Sequence, residues 1–413
     1  MGGANSVPST ARFISAKLLQ PCIVGRYSTV QEQIIYDWGG TSLTFQIQGS
    51  SYCYLEFNGG KGYYNLAITQ DGKTTTKVVS TSNKVKKVLL SDTLLLESIV
   101  TFRLTKRNEP TSGLLITTYH CTKFSGIHID QKAHHINQVE EKTNRQRRHI
   151  EFIGDSDTAG FGNLGKATSI NSILSGGPSK QDTSQAWPAF VAHEFDADYS
   201  NISYSGIGAH FNFPIPGFIK ETMYDLYPRL VCTDKTTDCI ENDNVEVLPK
   251  VDIVVIYLGG NDWYNFNDQK KKNQSILEAE FVEGFTKFLN RVQDIRSNIP
   301  ILVLHCDKNS GSCCSTIENQ EKYSKDMLRT LSQACASVSE NKHIYFETVD
   351  CSQNKIQLKD KLDWGSMEHW SVKGHQKFSD GCIPLIEKIM SWERTCNSKT
   401  EEGKVASTKS SKM

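Results

Sequence analysis

His149-Ile150-Glu151-Phe152-Ile153-Gly154-Asp155-Ser156 is the stretch from which the architecture of this chain is read. Its first five residues make a short strand, and Gly-Asp-Ser breaks that strand into a turn. A strand ending this way and feeding a helix exposes the Ser156 hydroxyl at the carboxyl edge of a sheet. Reactive groups of open α/β sheets collect there. Taken alone, Gly-Asp-Ser is a turn with a capping serine; the rest of the chain gives it meaning.

Downstream, Val251-Asp-Ile-Val-Val-Ile-Tyr-Leu258 is a nearly continuous apolar run, the pattern of a strand buried on both faces. Ile301-Leu-Val-Leu-His305 and Ile344-Tyr-Phe346 read as further strands. Apolar residues at helical spacing fill 187–194, 278–295, 320–338 and 374–392. Strands alternating with helices predict a parallel sheet covered on both faces, a three-layer α/β/α domain over 149–396. Upstream the pattern changes. Ser42-Leu-Thr-Phe-Gln-Ile-Gln48 and Ser51-Tyr-Cys-Tyr-Leu-Glu-Phe57 alternate apolar with polar, and Gly39-Gly40, Gly59-Gly60 and Asp71-Gly72 punctuate them. Short strands with no helix between them predict an all-β jelly-roll sandwich over 21–130. Residues 1–20 read as a flexible leader, the charged stretch 131–148 as a linker, and the Lys/Ser/Thr-rich 397–413 as a disordered tail.

Lys plus Arg (46) and Asp plus Glu (46) cancel, which argues against a polyanion-binding face and against nucleic acid as a partner. No run approaches the roughly 18 apolar residues of a membrane-spanning helix. The 12 cysteines form no zinc-type spacing. Cys232 and Cys239 bracket a polar loop and pair if the compartment is oxidising; scattered free thiols are the other reading. The N-terminus lacks a secretory signal, which favours a cytoplasmic or membrane-associated protein. Met1-Gly2-Gly3-Ala4-Asn5-Ser6 fits an N-myristoylation pattern on Gly2, and one acyl chain would give weak, reversible membrane attachment.

Two more segments sit where a strand would deliver chemistry. Ile202-Ser-Tyr-Ser-Gly206-Ile-Gly208 presents Gly206, whose NH a ligand can approach because no Cβ intervenes. Leu258-Gly-Gly-Asn261-Asp262 offers a side-chain amide that can donate to an oxyanion and a carboxylate that can brace the loop. Their structural alternatives are a loop glycine and an Asx turn. A serine nucleophile needs a base. Of the 11 histidines, His134 and His135 fall in the linker and His149 opens its strand at the wrong end. His369, in the loop before the last helix, is the favoured base; His305 is the runner-up, and His375 is expected to pack or cap within that helix.

Gly154-Asp155-Ser156, Gly206, Gly259-x-Asn261-Asp262 and a late His369 occur in the order of the four blocks of SGNH hydrolases, and the chain resembles that family. Gly25-Arg26, Trp38-Gly39-Gly40-Thr41, Leu104-Thr-Lys-Arg-Asn-Glu109 and Phe124-Ser-Gly-Ile127 narrow the likeness to carbohydrate esterase family two, a jelly roll fused to a flavodoxin-like SGNH domain. The resemblance spans about residues 22–392. It implies Ser156 as nucleophile, His369 as base and then acid, and an oxyanion hole of the Ser156 NH, the Gly206 NH and the Asn261 side chain. Asp155 and Asp262 would support the loops. The implied reaction removes O-acetyl groups from a small-molecule or polysaccharide sugar ester through an acyl-enzyme, with no metal or organic cofactor.

The chain departs from the family just before the histidine, where Met367 and Glu368 replace the aspartate–aromatic pair and Ser366 stands three before. His369 is therefore expected to be oriented by a backbone carbonyl, by Glu368 or by Asp363. Two other functions compete: a lipid or thioester acyl hydrolase on the same scaffold, and a carbohydrate-binding protein with weakened turnover.

Overall fold

The computed structural model describes residues 6–19, 21–60, 62–82, 84–110, 121–136, 147–166, 178–214, 220–243, 245, 248–263, 274–306, 317–338, 343–349 and 361–395. Its first strands are β1 (Arg12–Ser15), β2 (Cys22–Val24), β3 (Ser28–Val30), β4 (Gln33–Tyr36), β5 (Ser42–Gln48) and β6 (Cys53–Asn58). They are followed by β7 (Tyr63–Gln70), β8 (Lys73–Ser80), β9 (Val85–Ser91), β10 (Val100–Lys106), β11 (Thr122–Ile129) and β12 (His134–Ile136). These form two antiparallel sheets, β3-β4-β11-β6-β9 with β1 on β11, and β12-β5-β10-β7-β8 with β2 on β5. Period-2 alternation turns Leu43, Phe45 and Ile47 of β5 and Val100, Phe102 and Leu104 of β10 inward. Phe45 and Phe102 face each other in register and stack with centroids 5.2 Å apart.

The third sheet is wholly parallel: β13 (His149–Gly154), β14 (Asp198–Ser203), β15 (Ile253–Tyr257), β16 (Ile301–Cys306) and β17 (Ile344–Val349), in the order β14-β13-β15-β16-β17. The helices are α1 (Ala16–Leu19), α2 (Ser156–Ala159), α3 (Trp187–Glu194), α4 (Met223–Leu226), α5 (Gln274–Ile295), α6 (Ile317–Ser337) and α7 (Val372–Met390). On one face Phe281, Phe285 and Phe288 of α5 and Leu331 of α6 pack on Val254, Ile256 and Val303. On the other, Trp187 of α3 and Phe378 and Ile383 of α7 pack on Phe152, Val255 and Leu304. The chain thus has the three-layer α/β/α domain behind a β-sandwich that its pattern predicts. The strand order reverses between β13 and β15, and the carboxyl ends of such a pair frame the binding crevice of doubly wound sheets.

A buried ionic hub joins the two parts. Glu151 points from β13 into the α5 side, fully buried. It accepts from Arg26 Nε (3.2 Å) and Nη2 (2.9 Å), Arg296 Nε (3.2 Å) and Nη2 (2.7 Å), and Tyr227 OH (2.8 Å). Arg26 comes from the sandwich, Arg296 from just beyond α5.

The structure corrects several expectations. Residues 12–19 are not leader: β1 pairs with β11, and Ile14, Ala16 and Leu19 are buried in the sandwich core. His134 and His135 belong to β12 on the edge of β5 and not to a linker. Of the two readings left open for Cys232 and Cys239, a pair or free thiols, the second holds: both are buried free thiols. Gly2, the central part of the expected linker and the tail from 397 lie outside the described residues. No helix among the described residues is long and apolar enough to cross a membrane.

Candidate active site

β13 ends at Gly154, where a Cβ would meet Thr158 Oγ1 at 2.0 Å and Tyr257 O at 2.6 Å, so only glycine lets the chain pass here. Asp155 caps α2, its Oδ1 accepting from Asp157 NH at 3.1 Å. Ser156 is the first residue of α2 and 9% exposed, enough to meet a ligand.

His369 Nε2 lies 2.8 Å from Ser156 Oγ, and its Nδ1 lies 2.8 Å from Met367 O. A carbonyl only accepts, so Nδ1 carries the proton and Nε2 presents a lone pair to the serine hydroxyl. Met367 adopts a left-handed conformation (φ 54, ψ 40), which turns its carbonyl under the imidazole. The loop is tied to the nucleophile side through Ser366 NH, which donates to Gly162 O at 2.9 Å. The edge of Phe161 covers the imidazole, with centroids 4.9 Å apart.

The other two predicted loops converge on the same edge. Gly206 has φ +80, which only glycine adopts without strain. Neither its NH nor that of Ser156 donates to another described residue. Asn261 Nδ2 lies 3.2 Å from Asp155 Oδ2 and 2.8 Å from Ile207 O, so the amide bridges the nucleophile turn and the glycine loop. Asp262, fully buried, accepts from the NH groups of Ala209 (2.9 Å), His210 (2.7 Å) and Phe211 (2.7 Å). Burial pushes its pKa up to about 6 against the pull of those three donors. Burial likewise raises Asp155, helped by the neighbouring Asp157 charge.

Residues 150–381, more than half of the chain, match the model of the family described as GDSL-like Lipase/Acylhydrolase. The chain belongs to this family. The GDSL-family chain is 26% identical over 187 residues to an acetylxylan esterase/glucomannan deacetylase of Cellvibrio japonicus (strain Ueda107), covering 42% of the chain and 46% of that relative. It is 25% identical over 355 residues to the cellulase/esterase CelE of Acetivibrio thermocellus, covering 86% of the chain and 38% of that relative. The chain thus spans less than half the length of either curated relative. Among solved structures, a family two carbohydrate esterase from Cellvibrio japonicus matches with a TM-score of 0.69 at 13% identity, over 92% of the chain and 98% of that protein. One from Clostridium thermocellum in complex with cellohexaose matches at 0.67 and 19%, over 90% and 99%. At such identities the likeness is one of fold, and it covers the sandwich as well as the GDSL domain.

The remaining predicted residues of the GDSL-family chain lie elsewhere. Asp363 does not touch the imidazole. Its buried carboxylate takes Lys377, with Lys373 at 3.8 Å, and so pins the loop to α7. The Glu368 side chain lies outside the described residues. His305, the runner-up base, is buried against α6 with Nε2 3.4 Å from Ser324 Oγ, and burial lowers its pKa to about 4. His375 packs inside the domain, its Nδ1 accepting from Trp187 NH at 3.4 Å, and burial lowers its pKa to about 3. Of the three expected orienters of His369 the backbone carbonyl is the one in contact, and it belongs to Met367, a residue the sequence could not single out because backbone twist leaves no letter.

Proposed function

We propose that this chain is a serine esterase that removes O-acyl groups, chiefly O-acetyl, from carbohydrates through an acyl-enzyme. The observation that carries the reading is the His369 Nε2–Ser156 Oγ contact of 2.8 Å with Nδ1 held on a carbonyl. In the reaction, Nε2 takes the Oγ proton as Oγ attacks the ester carbonyl. The oxyanion that forms meets the Ser156 NH, the Gly206 NH and the Asn261 amide hydrogen now spent on the longer contact to Asp155. Collapse breaks the bond to the sugar oxygen, which takes the proton from the His369 imidazolium and departs as the hydroxyl, leaving acyl-Ser156. His369 then deprotonates a water that attacks the acyl-enzyme, the same donors hold the second oxyanion, and its collapse breaks the bond to Ser156 Oγ, which recovers its proton from His369 as the free acid leaves. Preorganised donors of this kind are typically worth about 2.7–4 kcal/mol each.

The sugar substrate rests on the two relatives, whose names give acetylxylan, glucomannan and cellulase/esterase activities. The test is release of 4-nitrophenol from its acetate ester by wild type and Ser156→Ala, followed by acetate release from acetylated xylan and glucomannan. Wild-type turnover lost in the variant supports the esterase. No turnover above background in either overturns it in favour of a binding protein. A preference for long-chain esters over acetate would make it a lipid-type acyl hydrolase.

A further inference from the structure

The sandwich sends one loop into the catalytic edge. It leaves β10 through Lys106, Arg107, Asn108 and Glu109, and its base is anchored in its own sheet by Lys106 NH to Thr41 O (2.9 Å) and Arg107 NH to Tyr63 O (2.8 Å). Arg107 O takes the Thr183 NH at 2.8 Å. The Thr183 hydroxyl lies between Arg107 O (2.8 Å) and Ala159 O (2.9 Å), the latter in the helix that starts at Ser156. Glu109 goes further. It is 1% exposed, and both its carboxylate oxygens are spent on one residue. Oε2 accepts from Ser205 NH at 2.5 Å and Oε1 from Ser205 Oγ at 2.8 Å. Ser205 is the residue before Gly206.

We infer that Glu109, supplied by the sandwich, is a positioning residue for the Gly206 oxyanion donor, which makes the sandwich part of the catalytic apparatus. The inference rests on the esterase reading above. Fixing the NH and the side chain of Ser205 anchors the residue from which the Gly206 peptide departs, and the bonds from Ile207 NH to Tyr204 O (3.2 Å) and from Phe213 NH to Gly206 O (2.8 Å) hold that peptide from its other side. Asp262 grips the following turn at residues 209–211, so the loop is held on both sides of its glycine. The Glu109 carboxylate is buried beside the buried Lys106 ammonium, which itself donates to Glu109 O at 3.1 Å. Burial raises the Glu109 carboxyl to about 7 and lowers Lys106 to about 8, with their mutual attraction opposing both shifts.

The experiment measures kcat and KM for 4-nitrophenyl acetate in full-length wild type, Ser156→Ala, Glu109→Ala, Glu109→Asp and Glu109→Gln. Rates are normalised to sites counted by labelling to completion with a fluorophosphonate, and for Ser156→Ala, which has no such nucleophile, to folded protein. Glu109→Ala is expected to lower kcat about tenfold to a hundredfold with KM within about twofold, the scale of a misplaced catalytic group. Glu109→Asp keeps the charge at the interface but draws it back by one methylene, and is expected to lose about tenfold. Glu109→Gln keeps the length and an acceptor for Ser205 NH and is expected to restore most of kcat. A kcat per counted site within twofold of wild type in both Glu109→Ala and Glu109→Asp overturns the inference, as does a Glu109→Gln loss equal to that of Glu109→Ala. Should Glu109→Ala fail to fold, the Glu109→Asp and Glu109→Gln pair decides. Failure of the esterase reading looks different: wild type and Ser156→Ala are then equally inactive, and the inference falls with it.

Discussion

Replacing Glu151 by glutamine tests the hub that joins the sandwich to the parallel sheet. The wild-type carboxylate takes four guanidinium contacts of 2.7–3.2 Å and one phenol. Glutamine keeps the shape and one acceptor but leaves two buried guanidiniums without a counter-charge. Breaking a buried pair from one side typically costs about 3–5 kcal/mol, and the retained amide oxygen places Glu151→Gln near about 3. Against a total of about 5–15 kcal/mol this is a large share. The sign with pH follows from the carboxyl's environment. Burial alone would raise its pKa, but Arg26 and then Arg296 reverse this and hold it well below the usual 4.5. The stabilisation is therefore fully present above about pH 4.5 and is lost as pH falls from there toward the folded-state pKa. Urea unfolding followed by tryptophan fluorescence at several pH values should show a wild-type-minus-variant gap that is flat from about pH 8 to 5 and narrows below about 4.5. A gap under about 1 kcal/mol at neutral pH, or one that widens in acid, would refute the reasoning.

Three further outcomes follow from the site. His369→Ala should lower kcat on 4-nitrophenyl acetate by about 10²–10⁴-fold with the protein folded, and exogenous imidazole should restore part of the rate; turnover within tenfold of wild type would remove His369 as the base. Asn261→Ala should lower kcat by about 10²–10³-fold with little change in KM, whereas a loss confined to KM would mean that the amide only shapes the free site. Asp262→Ala removes the shared acceptor of three amides, so hydrogen exchange at residues 209–211 should quicken while the sandwich amides keep their protection; unchanged exchange would show that the loop stands without its brace.

The parallel sheet was legible because its strands are buried on both faces and so read as unbroken apolar runs, as in Ile253–Tyr257. The asparagine loop followed from the same logic, since it succeeds Ile253–Tyr257, whereas the serine and glycine loops follow shorter strands with polar residues in them, His149–Gly154 and Asp198–Ser203. What stayed hidden depended on partners distant in the chain or on backbone shape. β1 is four residues long, and its register, Arg12 against Ile129, is fixed by a strand more than a hundred residues away. Asp363 carries the right chemistry to orient a histidine, yet two lysines on α7 claim it. No local pattern marks Glu151 as a hub, because the two arginines that make it one, Arg26 and Arg296, are distant in the chain on either side of it. Glu109 stood in a motif quoted for its likeness, with no hint that it reaches Ser205.

The main-chain acceptor beneath His369 has an evolutionary consequence. Every amino acid carries that oxygen, so no substitution at position 367 deletes it, and side-chain identity there can drift among residues that tolerate the left-handed backbone (φ 54), proline and the β-branched residues excepted. Selection would then act on the twist of the loop. An inspection that searches only for a missing acid would discard as degenerate a protein whose imidazole is still correctly held.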